Sequence, residues 1–454
     1  MKPASHTGKL NMRLMLPAIV LLCSTLYIVS CIREGAKPKD SVQISLDYNK
    51  FILEAEVNTE GYRGPVAARA YGYIGLAAYE AGLPGFNGDF ISMTSMYPTI
   101  QLPARPDKVH FNLPVALNAC YYNILRNFFM TAPENTRQHQ LAIYNRWEEH
   151  LAEKMDTTTY RLSAQFGRAV AQAVYDWSAT DSIGDKANHH NYDRNYKGPA
   201  GDGLWTTSLD FPMPPLLPSW GSVRPFVINT ENYIAKPLPP YSAAPNTFYY
   251  NQAMEILTLT KQITAENLWI ANFWNDDRPG LTFTPAGHWL AIANQVIEKE
   301  KPSIEKTLET YLKVGFSLSD AMVSCWRAKY LYNMERPESF IKRNLAKDWR
   351  PISPSPSFPS YPSGHSIMGA AAATVLTDLY GDNYAMMDDS HKDLKDFQTD
   401  PRSFNSFEEM AKENALSRIL LGVHWRVDCE EGLRLGELIG AEVSAIQLER
   451  RLTQ

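Results

Sequence analysis

Cysteine is scarce in this chain of 454 residues, with five in all. Cys120, Cys325 and Cys429 lie far apart, and no zinc-type spacing accompanies them. Neither a disulfide framework nor a structural metal is expected, and these sulfurs are assigned to buried apolar positions. Basic excess is also missing: the formal net charge is −5, so there is no broad field to attract nucleic acid or anionic lipid, and any anion site has to be built locally. Beyond Ser30 no apolar run reaches the length of about eighteen residues that a membrane span needs. No internal repeat is visible, and no alternation of strand and helix patterns.

The first thirty residues are the exception. Lys2, Lys9 and Arg13 precede an uncharged stretch from Leu14 to Ser30, which is the layout of a secretory signal. Ile28-Val29-Ser30-Cys31 resembles the bacterial lipobox. The expectation is a lipoprotein signal peptide over 1–30, lipidation of Cys31, and a mature chain tethered by lipid on the periplasmic or outer-surface side of the cell envelope.

What the chain has in abundance is helical spacing. Pro65 opens a segment in which Val66, Ala70, Tyr73 and Ala77 recur along one face and Gly82 supplies a stop. The same pattern predicts helices near 114–130, 135–155, 159–180, 248–277, 285–300, 303–314, 317–334, 364–380, 406–421 and 428–449. The predicted fold is all-α, built as two helical bundles, with an N-terminal helical region over 31–181 and a C-terminal bundle over 249–454. Between them, 182–248 holds ten of the thirty prolines and no sustained period. Its stretches GPAGDGLWTTS and PPLLPSWGSVRPF are too rich in Trp, Phe and Leu for a solvated linker, so a long ordered loop packed over the helices is expected.

Three segments concentrate chemistry. In PSYPSGHSIMGAAAA (359–373), Pro362, Ser363 and Gly364 lead into an alanine-rich helix whose first N–H groups and dipole favour an anion, and His365 adds a titratable group. An ordinary helix start, with Ser363 as cap, explains the same residues. In CWRAKYLYNMERPESF, Lys329 and Arg336 stand seven residues apart, two turns along one helix face, with Pro337 ending the helix. In ALSRILLGVHWRVDCEEG, Arg418 precedes His424 and Asp428 follows it; Gly422 interrupts a helix, and Asp428 with Glu431 opens the next.

Together these segments, Lys-x6-Arg-Pro, Pro-Ser-Gly-His and Ser-Arg-x5-His-x3-Asp, resemble the three motifs of the type 2 phosphatidic acid phosphatase and vanadium haloperoxidase superfamily. The resemblance covers roughly residues 325–430. It implies a vanadate cofactor, with Lys329, Arg336, Ser363, Gly364 and Arg418 as oxyanion ligands, His424 as the metal ligand, Asp428 orienting it and His365 handling a proton. It also implies hydrogen peroxide and halide as partners, and admits a small organic acceptor. The phosphatases of the superfamily use the same cage with the second histidine, here His424, as nucleophile. A secreted acid phosphatase and a non-catalytic oxyanion-binding lipoprotein are therefore the alternatives. Chain length, the tract around GLWTTS, the segment FWNDDRPGLTFTPAGHW and Trp326 resemble the bacterial haloperoxidase branch. Trp326 and Phe358 are candidates for the halide side, with core packing as the competing account. His288 is assigned a structural role ahead of a supporting one, and the pair His189 and His190 is not assigned a metal.

Overall fold

The computed structural model describes residues 38–207, 212–276, 278–394 and 400–450; the predicted signal segment and Cys31 lie outside the described residues. Among these residues there are thirteen α-helices. Before the long loop stand α1 (Pro38–Asn58), α2 (Gly64–Gly82), α3 (Leu113–Phe128), α4 (Glu134–Ala152) and α5 (Thr157–Ala179). After it come α6 (Phe248–Lys261), α7 (Ala265–Phe273), α8 (Pro285–Glu300), α9 (Ile304–Tyr332), α10 (Pro337–Asn344), α11 (Gly364–Tyr380), α12 (Phe407–Leu420) and α13 (Arg426–Ser444). A small antiparallel hairpin, β1 (Met386–Asp388) with β2 (Arg402–Phe404), pairs Met387 with Ser403. The all-α expectation holds. No helix among the described residues is long and apolar enough to cross a membrane.

Local chemistry explains most boundaries. Ser303 accepts from the N–H of Lys306 (3.3 Å) to open α9, and Asn333 closes it in the left-handed conformation at φ 48°. The predicted helix over 248–277 is two helices, because Thr264 caps a new one by accepting from Asn267 (3.1 Å). The predicted pair over 303–314 and 317–334 is instead the single helix α9, and Gly315 is the reason the pattern misleads. It is a point of contact: a Cβ there would stand 2.8 Å from the carbonyl oxygen of Tyr71, and one at Gly75 would stand 2.9 Å from that of Tyr311. The backbones of α2 and α9 touch through these positions. Helix α1 had no predicted counterpart, although Ile44, Tyr48, Phe51, Ile52 and Ala55 bury one face of it.

A second close approach positions the chemistry-bearing segments. On α13, Gly432, Gly436 and Gly440 recur every fourth residue and lie against the start of α11. Cβ atoms at Gly432 and Gly440 would meet Ser366 Cβ at 2.7 Å and the Ala371 oxygen at 2.6 Å, and one at Gly436 would run into the Ile367 carbonyl. Alanines at 370–373 complete a seam of small side chains. The N-terminus of α11 is thereby held against the N-terminal half of α13.

The described parts of the long proline-rich stretch pack over the helices, as expected. Asp320, buried in the middle of α9, accepts from the backbone N–H groups of Phe226 (2.6 Å), Val227 (2.7 Å) and Ile228 (3.0 Å). Arg224 lies 3.9 Å from the ring centre of Trp177, and Trp205 and Trp220 are buried. Cys120, Cys325 and Cys429 are free and buried.

The glycine seam yields a direct test. Gly436→Val places branched carbons against the α11 backbone and should destabilise the protein by roughly 1–3 kcal/mol or more, the usual cost of overpacking. Glu437→Ala, exposed on the same helix, should change stability by no more than about 0.5 kcal/mol. Denaturant midpoints of the two variants measure the contrast.

Candidate functional site

The three chemistry-bearing segments meet in the interior. Lys329 is on the last turn of α9. The chain then turns at Asn333, and Arg336 is the N-cap of α10, with Pro337 in the first turn of that helix. This corrects the predicted placement of Lys329 and Arg336 on one helix face: Pro337 opens a helix here, which its fixed φ and missing N–H suit equally well. Ser363 is the N-cap of α11 and accepts from Ser366 N–H at 3.4 Å, so the plain capping account is true of it; its own hydroxyl hydrogen is not spent in that contact. Gly422, at φ 76°, separates α12 from the turn that carries His424. The next helix has Trp425 as N-cap. This corrects the predicted capping box of Asp428 with Glu431: Asp428 sits at the third position and accepts from Trp425 N–H (3.1 Å), while Glu431 accepts from Lys236 N–H (2.8 Å).

Two of the cations are held by carbonyl groups. Lys329 Nζ donates to the oxygens of Pro359 (3.0 Å), Ser360 (2.7 Å) and Pro362 (2.6 Å). Those contacts use all three ammonium hydrogens, so Lys329 can act on a bound anion only through its charge. Arg336 donates from Nε to Phe358 O (3.0 Å) and from Nη1 to Val423 O (2.8 Å), with a longer contact to Pro359 O (3.4 Å). The loop 358–362 is thus wrapped around two buried positive groups. Burial pushes the Lys329 ammonium down from its ordinary value, with Arg336 adding to the effect. Burial, and then the neighbouring Arg418, bring Arg336 down to about 9.

His424 is the centre of the arrangement. Its Nδ1 lies 2.8 Å from Asp428 Oδ2, and its Nε2 lies 3.1 Å from Arg336 Nη1. The carboxylate also accepts from Ser360 Oγ (2.5 Å). An acceptor on one side and a donor on the other fix the tautomer, with the proton on Nδ1 and the lone pair on Nε2. Burial presses the ring well below the usual histidine range, and Arg336, Lys329, Arg418 and His365 press it further. A neutral imidazole with a directed lone pair in a cationic setting can bond to an electrophilic atom of an oxyanion.

Trp326, Phe358, Gly364, His365, Arg418 and His424 line one small cavity, together with Arg63, Leu216, Met322 and Met368. The rings of Trp326 and Phe358 pack at 4.9 Å between centres. Phe358 also lies 5.0 Å from Lys329 Nζ and 4.8 Å from the Arg336 guanidinium carbon. Both rings are buried and both line the cavity, so core packing accounts for them without excluding a place beside a ligand. Lys329, Arg336, Ser363 and Asp428 stand behind this lining and support it. Every residue predicted for the oxyanion cage therefore falls in one region.

Several contributors carried no signal in the sequence. Ser360 is one, a serine whose bond to Asp428 appears only in three dimensions. Arg63 and Leu216 are others, brought in by α2 and the long loop. Asp276 is the fourth, 3.1 Å from His365 Nε2; FWNDD offered two aspartates and no period to choose between them. His288 bonds to that same Asp276 at 2.7 Å. His189 and His190 line an outer cleft of about 570 Å³ that also reaches Arg63 and Asp276. Among the described residues no group of three or more His, Cys, Asp or Glu has a metal-holding arrangement.

The cation–carbonyl contacts predict a stability cost separate from any chemistry. Arg336→Ala orphans the carbonyls of Phe358 and Val423, each worth roughly 1–3 kcal/mol when buried without a donor. Its denaturant midpoint should fall accordingly. An unchanged midpoint would mean that the loop does not depend on this guanidinium.

Residues 309–451 match the model of the second helical-bundle domain of vanadium chloroperoxidase. The vanadium chloroperoxidase of Curvularia inaequalis is 25% identical over 276 residues, 46% of this chain and 45% of that protein. The vanadium-dependent bromoperoxidase of Ascophyllum nodosum is 40% identical over 94 residues, 19% of this chain and 17% of that protein. The matches thus span less than half the length of these two relatives. Over the whole fold, the crystal structure of a bacterial vanadium-dependent iodoperoxidase superposes with a TM-score of 0.79 at 26% identity, covering 92% of this chain and 100% of that one. A bacterial vanadium-dependent chloroperoxidase shares the fold at a TM-score of 0.62 and 14% identity. With the three chemistry-bearing segments inside the matched domain and the iodoperoxidase fold followed over 92% of its length, the chain is similar in sequence and fold to the vanadium haloperoxidase superfamily.

Proposed function

We propose that this chain is a vanadium-dependent haloperoxidase, oxidising halide with hydrogen peroxide at a vanadate bound by His424. The observation that carries the reading is the state of His424: buried and neutral, its Nδ1–H committed to Asp428 and its Nε2 lone pair beside Arg336. The donor set fits vanadate, since it offers one nitrogen lone pair, three cationic side chains, a serine hydroxyl and the first N–H groups of α11. Vanadate, when bound, activates hydrogen peroxide so that an oxygen atom passes to halide and a hypohalous species forms.

The chain's own groups divide the work. His424 Nε2 holds the metal, and Asp428 keeps the ring in the required tautomer. Arg336 and Arg418 neutralise charge on the oxygens, Lys329 adds its field from behind the loop, and Ser363 and Gly364 N–H donate at the helix start. His365 holds and releases a proton at the cavity wall. Trp326 and Phe358 keep water from the halide side. The outer cleft admits a small organic acceptor for the oxidised halide.

Protein stripped of metal should be inactive toward iodide and peroxide, and added vanadate should restore oxidation. Phosphate should compete against that recovery, because it takes the same donors. His424→Ala should abolish recovery. His365→Ala should still bind vanadate but turn over about 10²–10⁴-fold more slowly. Metal-free hydrolysis of a phosphomonoester, with no halide oxidation at any vanadate concentration, would instead make the chain a phosphatase with His424 as nucleophile.

On its sequence pattern alone, we also propose that Cys31 carries lipid and that the protein is anchored to the cell envelope. Mass spectrometry of native protein should find residues 1–30 removed and an acylated Cys31. Retention of residues 1–30 would overturn this.

A further inference from the structure

Beside the cavity lies a buried chain of charge outside the oxyanion cage. Asp276 Oδ1 is 3.1 Å from His365 Nε2, and its Oδ2 is 2.7 Å from His288 Nδ1. On its far side, His288 Nε2 is 2.9 Å from Asp388 Oδ2. Asp388 is held in turn by Gln295 (3.0 Å), by Ser390 N–H (2.9 Å) and by Ser390 Oγ (2.5 Å). Asp276, His288 and Asp388 have no exposed surface at all. They come from three separate places, the segment after α7, the first turn of α8, and β1.

Hydrogen-bond logic fixes the protons. Carboxylates only accept, so each ring nitrogen facing one must carry hydrogen. His288 faces carboxylates with both nitrogens and is therefore an imidazolium. Burial opposes that charge, but Asp388 and Asp276 outweigh burial and push the ring up to about 9. Trp274 stacks on it at 4.5 Å, while its neighbour His391, lowered to about 3 by burial and by the His288 charge, stays neutral. A buried row of negative, positive and negative groups is costly to assemble, and a histidine needed only for packing would require no second carboxylate. The row ends on His365, which lines the cavity.

We infer that Asp276 and His288 are positioning residues for His365. Asp276 turns the ring so that Nε2 carries the proton and Nδ1 is the basic nitrogen. His288, clamped by Asp388, keeps Asp276 ionised and immobile. The inference rests on the proposed role of His365 in proton handling.

The test uses full-length protein with ¹⁵N-labelled histidine, free of vanadate, and His365→Gln to assign the His365 signals. In the wild type His365 should show the Nε2–H tautomer, and one further ring, absent in His288→Gln, should be doubly protonated at pH 7.5. In Asp276→Asn the His365 preference should be lost. When vanadate is added, Asp276→Asn should bind it within about threefold of wild type while kcat for iodide oxidation falls roughly 10- to 100-fold, the usual effect of losing such a partner. His288→Gln, which can still donate to Asp276, should retain more of kcat than Asp276→Asn.

An Nδ1–H tautomer in the wild type overturns the inference without any variant having to fold. So does a folded Asp276→Asn with an unchanged His365 spectrum or unchanged kcat. If wild-type protein oxidises no halide, the proposed function fails, while the tautomer measurement still decides what Asp276 does to His365.

Discussion

Burying several cations in the protein interior is the constraint on which the rest of this structure depends. An ammonium or guanidinium without partners in such a place would cost many kcal/mol, and here the main chain pays that cost. Carbonyls of Phe358, Pro359, Ser360 and Pro362 turn inward onto Lys329 and Arg336, and the oxygen of Val423 completes the set. The course of the loop before α11 follows from this requirement. Ser360 then has its hydroxyl on the Asp428 carboxylate, Ser363 its N–H on the Asp428 main-chain carbonyl, and His424 its ring in place. Stability and the placing of the buried cations are consequently one problem in this part of the molecule.

The two cavity histidines illustrate how environment divides roles between like side chains. His424 meets cations on its Nε2 side and is held neutral. His365 meets the carboxylate of Asp276, which belongs to a separate network reaching to β1. One ring is prepared to give a lone pair, and the other is bonded to an ionised acceptor. The hairpin β1–β2 acquires a purpose in this light, since it delivers Asp388 to the far side of His288.

How much of this was legible in the sequence depends on whether a feature is local. The candidate cage residues were legible because they sit in three short segments with fixed spacing, and helix starts were legible through Pro65 and Ser363. Gly315 and Pro337 were misleading because each residue type has two uses. Glycine ends helices and also lets two helices touch; proline ends helices and also begins them. Only the neighbouring chain decides which use applies. Asp276, Ser360 and Arg63 could not be singled out, since Asp276 meets His365 across 89 residues and Ser360 meets Asp428 across 68, and many other acids, serines and arginines look the same in one dimension.

The glycine seam between α11 and α13 also bears on how the site can move. Gly432, Gly436 and Gly440 recur every four residues, which at about 1.5 Å of rise per residue is about 6 Å along the axis. Intermediate shifts of one helix along the other would drive side chains such as Leu435 or Ile439 toward the opposing backbone, so sliding has no gentle slope to follow. The next register that brings glycine to the same places is a whole step away. Ser363, Gly364 and His365 are thus mounted on a ratchet with one usable tooth, a frame in which side chains and protons can rearrange while the helices keep their register.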